Sequence, residues 1–431
     1  MLAREGSFDS RGTSAMDSAP PIDGHARVAD RTSRDFIALE ERYGAHNYHP
    51  LDVVLTGGEG SWVWDVEGKR YLDCLAAYSA VNQGHNHPRI VAALIEQAQR
   101  MALTSRAFRN DKLGPFYRTL CELTGYERVL PMNTGAEAVE TALKAARKWG
   151  YTVKGIPEHK AEIIVMGGNF AGRTITIISF SSEPQYRYGF GPYTPGFVTV
   201  PFGDAKAVED AIGAHTCAVF MEPVQGEAGI VIPPKGTLRA IRDACDRNNV
   251  LLIADEIQSG LGRTGLLMAC DHEGVRPDGV TLGKALSGGM YPVSAFVADD
   301  ALMSVFRPGD HGSTYGGNPL GAAVATAALT VLRDEGMVEN AAAMGERFRA
   351  GLETFDHGSI KEVRQIGLWI GIEPGRRRRR APLLRGPAGP RHALRKETHD
   401  HVIRVAPPLV IRPAEVDHAL ETLAATFDHL G

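Results

Sequence analysis

The feature that most constrains this chain is a repeated alternation. From about residue 85, helical patterns alternate with short apolar runs at 162–166, 174–180, 217–221, 250–254, 280–282 and 293–297. Apolar runs without an apolar/polar alternation mark strands buried on both faces, and the helical text between them supplies the crossovers that parallel pairing requires. The pattern predicts an α/β domain built on a largely parallel sheet. Before it, residues 62–74 (WVWDVEGKRYLDC) set β-branched and aromatic residues on either side of a Glu-Gly turn and predict a small hairpin. After it the text turns helix-rich over 331–355, with a further strand at 367–372. The expected division is a disordered extension at 1–34, an N-terminal segment and hairpin at 35–84 that joins a small domain, a large domain at 85–325, and a smaller α+β domain at 326–431.

Charge and cysteine usage remove several function classes. With 47 Lys and Arg against 51 Asp and Glu, the formal net charge of −4 gives no whole-chain basic field for nucleic acid or an anionic membrane. That figure is a sum of unlike parts. Residues 374–395 (PGRRRRRAPLLRGPAGPRHALR) hold eight Arg and no acid, and without them 39 basic residues face 51 acidic ones, a charge of −12. No helix or strand period can be written across that stretch. The five cysteines are an odd count with no C-x-x-C spacing, which fits neither a disulfide framework nor a zinc ribbon and suits a reduced, cytoplasmic compartment. No run reaches the roughly 18 consecutive apolar residues of a membrane span. Residues 319–332 read as a buried helix, and residues 1–34 lack the apolar core of a secretory signal.

The strongest chemical constellation begins at the 250–254 run, which ends in Asp255-Glu256. In open α/β sheets ligands bind beyond the carboxyl ends of strands, so an acid there points into a site. The 280–282 run ends in Gly283-Lys284. A lysine at a buried strand end can be held desolvated with a lowered pKa, the state in which its amine attacks a carbonyl. Pyridoxal phosphate asks for this pair, a Lys for the covalent link and a carboxylate to keep the pyridine nitrogen protonated. Asn133-Thr134-Gly135-Ala136-Glu137 adds a phosphate cradle: Thr134 and Glu137 have capping-box spacing, and Gly135 opens the free N–H groups at the helix start to an anion. Residues 311–318 (HGSTYGGN) offer a second loop with hydroxyls. The G-x-G-x-x-G match at 260–265 trails its strand and opens no apolar helix, so a nicotinamide site is not expected there. His85-Asn86-His87 and His399-Asp400-His401 lack metal-ligand spacing, and no metal is expected.

Taken together, these segments resemble the class III (ω-amino acid) aminotransferases, pyridoxal-phosphate enzymes of the aspartate-aminotransferase fold. The resemblance rests on GAHNYHP at 44–50, YSAVNQGHNHP at 78–88, NTGAEAVETALKAARKWGY at 133–151, EPVQGEAG at 222–229, ADEIQSGLGRTG at 254–265, LGKALSGGMYPVSA at 282–295 and HGSTYGGNPLG at 311–321. It implies that Lys284 forms the Schiff base and carries the substrate proton, that Asp255 pairs with the pyridine nitrogen, that Gln258 contacts the ring hydroxyl side and that Phe170 stacks on the ring. Gly135 and Ala136 would bind the phosphate, with Thr314 arriving from a neighbouring subunit, so a homodimer is expected.

Within the family the chain looks most like members that act on ornithine and 2-oxoglutarate. Arg173 matches the family's carboxylate-binding Arg, Tyr48 matches the tyrosine typical of ornithine enzymes, and Tyr78 would line the same pocket. Arg404 would take the second carboxylate of the diacid, with Glu227 pairing with it until the diacid arrives. Acetylornithine or 4-aminobutyrate as substrate is disfavoured by Tyr48; a cofactor-binding but impaired relative is the other alternative. Two departures stand out. Ala171 replaces a bulkier His or Trp beside the stacking Phe, and the resemblance stops across 374–395. There, composition changes at unchanged length as a shifted reading frame produces, and a poorly anchored strand for Arg404 is the expected consequence.

Overall fold

The structure, a computed structural model, describes residues 32–355, 360–375, 393–394, 396–398 and 402–429. Most of the expected extension, 1–31, and most of the Arg-rich stretch, 376–392, lie outside these residues. Helix α1 (Ser33–Tyr43) begins inside the span expected to be an extension, because Thr32 and Asp35 cap one another there. The chain forms two compact units, one comprising residues up to 57 with 64–69, the other residues 58–63 with 70–431. In the first, Ser33 donates to Glu67, and the hairpin turn closes with Asp65 N–H donating to the Lys69 carbonyl at 3.0 Å.

The second unit holds a seven-stranded sheet. Its strands are β1 (Arg128–Met132), β2 (Glu162–Met166), β3 (Phe197–Val200), β4 (Thr216–Met221), β5 (Leu251–Asp255), β6 (Gly279–Leu282) and β7 (Ser294–Ala298), in the order β1-β7-β6-β5-β4-β2-β3. All neighbours run parallel except β7, which is antiparallel to both β1 and β6. The predicted runs at 162–166, 217–221, 250–254, 280–282 and 293–297 are these central strands. The run at 174–180 is not a strand: Thr174 Oγ1 accepts from the Ile177 N–H and caps a short helix, Ile175–Ser179. The edge strands β1 and β3 escaped the sequence reading. Strand β1 contains Pro131, which strands tolerate only where a ladder bond can be spared.

Alternating residues along each strand feed two cores. Ile163 and Val165, with Ala218, Phe220 and Ile253, pack against helix α2 (Gly135–Thr152) through Ala142, Ala146 and Trp149. Ile164, Met166, Val219 and Leu252 pack on the other face against α3 (Thr237–Arg247) through Leu238, Ile241 and Cys245. Each fully buried aliphatic chain of this kind contributes about 1.5–3 kcal/mol relative to exposure.

Helix α4 (Pro319–Asp334) is the Ala-rich buried helix that was expected, and Gly336, in the left-handed conformation, separates it from α5 (Met337–Leu352). A second, antiparallel sheet follows, with order β8 (Ile360–Ile366), β9 (Trp369–Pro374), β11 (Val402–Val405), β10 (Lys396–Thr398). Helix α6 (Pro413–His429) closes the chain. Strand β11 is paired on both sides, Gly371 opposite Arg404 on one and Lys396 opposite Arg404 on the other. The poorly anchored strand expected for Arg404 is therefore not found.

Ile253 sits at the centre of the sheet with no exposed surface. Ile253→Ala is expected to cost about 2–5 kcal/mol through lost burial and the residual cavity, read as a lowered urea midpoint. A midpoint shift equal to that of an exposed Ile175→Ala control would contradict the packing described here.

Candidate active site

The site forms where β5 and β6 end side by side, with Asp255 opposite Thr281. One residue beyond β6 the extended Gly283 gives way to Lys284 at φ 44°, a left-handed conformation at the start of a short helical turn, Lys284–Ser287. Holding a side-chain-bearing residue there costs on the order of 1–3 kcal/mol, a strain that concentrates at functional positions. Lys284 and Asp255 line one cavity of about 200 Å³ together with Gly135, Ala136, Phe170, Glu222 and Gln258. Six of the seven expected cofactor residues are thus brought together, although they come from four separate segments of sequence.

Burial sets the charges in this cavity. Burial lowers the Lys284 ammonium from its ordinary value, against the opposing pull of Glu227, Asp255 and Glu222. Asp255, 4% exposed, is pushed up to about 6 by burial, while the Ile257 N–H, Lys284 and Thr281 act to lower it. Ile257 N–H and Thr281 Oγ1 donate to the same oxygen, Oδ1, at 3.1 and 3.0 Å. Oδ2 takes no hydrogen bond among the described residues, so a lone pair stays available for a ring N–H. Glu222 is pushed up to about 8, first by burial and then by Asp255, and accepts the Phe170 N–H at 2.9 Å.

At the other end of the cavity, α2 presents its first turn. Thr134 Oγ1 accepts from the Glu137 N–H at 3.3 Å while Glu137 Oε2 accepts from the Thr134 N–H at 2.8 Å, the capping box the spacing predicts. The N–H groups of Gly135 and Ala136 are the first two of the helix and have no helical acceptor, which leaves them for an anion. Asn133 reaches the second loop by donating to Ser313 Oγ at 2.8 Å. Thr314 is exposed and does not line the cavity of its own chain.

The expected substrate residues fall into separate places. Arg404, 1% exposed, donates from Nη1 to Glu227 Oε1 at 3.0 Å and from Nη2 to the Gly226 carbonyl at 3.1 Å. Gln258 joins this pair, accepting from Arg404 and donating to Glu227 at 3.3 Å each. Burial works to raise the Glu227 carboxyl, but Arg404, Lys284 and Gln258 outweigh it and hold it below the usual range. The Arg404 guanidinium lies 5.3 Å from the centre of the Tyr78 ring. Tyr78 stands in an unusual backbone: residues 76 to 79 all have positive φ, between 45° for Ala77 and 70° for Ser79. Asp73 Oδ1 braces this turn by accepting the Leu75 and Ala76 N–H groups. Arg173 is exposed and stacks on Tyr186 at 4.2 Å, beside Phe170. Tyr48 belongs to the first unit, where it is 67% exposed.

Residues 43–427 match the family described as aminotransferase class-III. The chain belongs to this family. It is 55% identical over 387 residues to an ornithine aminotransferase of Brevibacillus brevis, covering 90% of this chain and 96% of the relative. An ornithine aminotransferase structure from Toxoplasma gondii, described as having partial occupancy of pyridoxal phosphate, superposes with TM-score 0.91 at 43% identity, covering 96% and 98% of the two chains. An acetylornithine aminotransferase from Elizabethkingia anophelis superposes with TM-score 0.84 at 49% identity, over 93% and 100%.

This class III aminotransferase uses pyridoxal phosphate, and its cavity fits that group. The open Oδ2 of Asp255, the desolvated Lys284 amine and the free N–H groups of Gly135 and Ala136 are the acceptor, nucleophile and anion donors the cofactor needs. Ala171, 6% exposed, is part of the wall, as its place beside Phe170 suggested.

Glu222 was not assigned by the sequence reading. The signal was present, since it follows β4 directly, just as Asp255 ends β5. The histidine motif at 85–87 proves structural: His85 bonds Asp73 at 2.7 Å and His87 bonds Glu335 at 3.1 Å. The second histidine motif has His399, Asp400 and His401 outside the described residues. Among the described residues no group of His, Cys, Asp and Glu is arranged to hold a metal ion, and no helix is long and apolar enough to cross a membrane.

The raised carboxyls give a pH signature. Native Glu222 keeps its proton up to about 8 where an unfolded glutamate releases it near 4.5, so unfolding releases a proton in that window. The stabilisation it gives is full below the unfolded pKa and is lost as pH rises through the folded one. Relative to wild type, cofactor-free Glu222→Gln should therefore gain thermal stability as pH rises from about 5 to about 8. A difference in melting temperature that stays flat across that range would show that Glu222 is already ionised.

Proposed function

We infer that this chain is an ornithine δ-aminotransferase, moving the δ-amino group of ornithine to 2-oxoglutarate to give glutamate 5-semialdehyde and glutamate. The observation that carries this reading is Arg404 held by Glu227 next to the Lys284 cavity. A diamine with one carboxylate and a diacid must use the same pocket in turn, and a cation masked by a movable acid serves both. While Glu227 pairs with Arg404, ornithine meets no second free cation there; when the diacid arrives its carboxylate takes Glu227's place. Charge-assisted contacts of this kind are short and strong, so the exchange depends on one carboxylate replacing another.

Pyridoxal phosphate, when bound, supplies the electron sink that stores the electron pair left at the substrate carbon. Lys284 Nζ would hold the cofactor between turnovers and, once displaced by substrate, would be the base that takes the proton from the reacting carbon and gives it back. Its lowered pKa favours the neutral amine that this requires. Asp255 Oδ2 would keep a proton on the ring nitrogen, and Glu222, protonated at neutral pH, spares the cavity a second buried negative charge. Gly135 and Ala136 would hold the phosphate, and Phe170 would cover the ring. Arg173 would take the ornithine carboxylate, Tyr48 marks the preference for ornithine, and Tyr78 lies beside Arg404.

The exposed Thr314 supports a homodimer in which this residue serves a neighbouring copy's phosphate. Five free thiols and the absence of a membrane-crossing helix among the described residues are compatible with a cytoplasmic enzyme. The likeness to an acetylornithine enzyme makes that substrate the competing reading, disfavoured by Tyr48.

Purified protein should carry a visible cofactor absorbance that Lys284→Ala alters, with activity reduced by at least about a thousandfold through loss of the proton carrier and nucleophile. Ornithine alone should bleach that band and 2-oxoglutarate should restore it. Bleaching without recovery would leave an enzyme crippled in its second half, and faster bleaching by acetylornithine than by ornithine would favour the competing substrate.

A further inference from the structure

The glycine-rich segment 260–265, which mimics a dinucleotide fingerprint, places a cation deep in the protein. Arg263 has no exposed surface. Among the described residues no carboxylate lies within ion-pair distance of it. Its guanidinium donates from Nη1 to the Pro407 carbonyl at 2.7 Å and to the Leu368 carbonyl at 2.9 Å, and from Nη2 to Asn82 Oδ1. Burial pushes it down to about 9, still cationic at neutral pH, with Asp73 the one charge acting against that fall.

The glycines around it serve close backbone approach. A Cβ on Gly262, at φ 90°, would stand 2.9 Å from Leu409 Cδ1, and one on Gly367 would stand 2.3 Å from the Thr264 carbonyl carbon. What these contacts bring together is specific. Ala406 N–H donates to the Cys74 carbonyl at 2.7 Å and Leu409 N–H to the Asn82 carbonyl at 2.8 Å. The segment after Arg404 is thereby tied to both ends of the left-handed turn that carries Tyr78, and Arg263 bridges the same two segments through Pro407 and Asn82. A buried unpaired cation is expensive, and an apolar residue would fill the volume at lower cost. Its planar fork reaches three fixed acceptors, which a point donor cannot do.

We propose that Arg263 is a positioning residue for substrate selection, fixing the strand of Arg404 against the turn of Tyr78 so that the Arg404 guanidinium meets the diacid at a set place. This rests on the reading of Arg404 as the diacid's partner. Ornithine, whose carboxylate goes to Arg173 outside this clamp, is little affected.

The test uses cofactor-loaded wild type, Arg263→Met and Arg263→Lys, with folding checked by circular dichroism. Glutarate, an unreactive diacid, is titrated by calorimetry, and ornithine is titrated through the absorbance of the bound cofactor. Arg263→Met should bind glutarate at least about tenfold more weakly, the cost of losing hydrogen bonds from a charged donor. Its ornithine midpoint should move by less than about threefold, and Arg263→Lys should fall between wild type and Met. If Arg263→Met does not fold, Arg263→Lys decides alone, with glutarate weakened and ornithine unchanged as the supporting result. Equal weakening of both ligands, or no change in either, overturns the positioning role. Wild type that responds to ornithine but does not bind glutarate removes Arg404 as the diacid's partner, and the inference falls with it, whereas glutarate binding that is normal in every variant overturns Arg263 alone.

Discussion

Burial of charged side chains at the carboxyl edge of the large sheet is the constraint on which the rest of this structure depends. A lysine and two acids would be unremarkable at a solvated strand end. Buried around one cavity, each moves away from its ordinary charge state, Lys284 toward the neutral amine and Glu222 and Asp255 toward the neutral acid. The sheet achieves this because every residue of strands β4, β5 and β6 is buried, so only their ends can meet a ligand. A bound cofactor would supply partners for these buried groups.

Much of this was legible in the text. The central strands announce themselves as apolar runs because they have no solvated face, and Asp255 and Lys284 stand out because a charge that ends such a run must go somewhere. The Thr134–Glu137 box is local chemistry and survives intact. What was not legible depends on distant partners. The run at 174–180 carries the same β-branched residues as a strand, and only the Thr174 cap turns it into a helix. Glu222 has the same strand-end position as Asp255, but its retained proton comes from burial and from Asp255 across the cavity. Arg263 reads as part of a false nucleotide motif because its partners, Asn82, Leu368 and Pro407, lie far off in sequence.

The treatment of Arg404 and Arg263 shows two ways of keeping a buried guanidinium. Arg404 is paired with a carboxylate, Glu227, which in the proposed function a diacid would displace. Arg263 has only carbonyl oxygens, which nothing soluble replaces, so its charge is spent on geometry. Arg404 lies on β11, and Arg263 bonds the Pro407 carbonyl just beyond that strand.

The left-handed turn at residues 76 to 79 has a consequence for how this enzyme can vary. Four successive side-chain-bearing residues at positive φ store roughly 1–2 kcal/mol each, held by Asp73 and by the ties to 406–409. Glycine at Ala77 would release part of that strain and harden the fold against heat. The same relaxation would let the ring of Tyr78 drift from Arg404. Robustness and discrimination therefore pull on this segment in opposite directions, and lineages selected for heat tolerance would have to find their stability elsewhere in the chain.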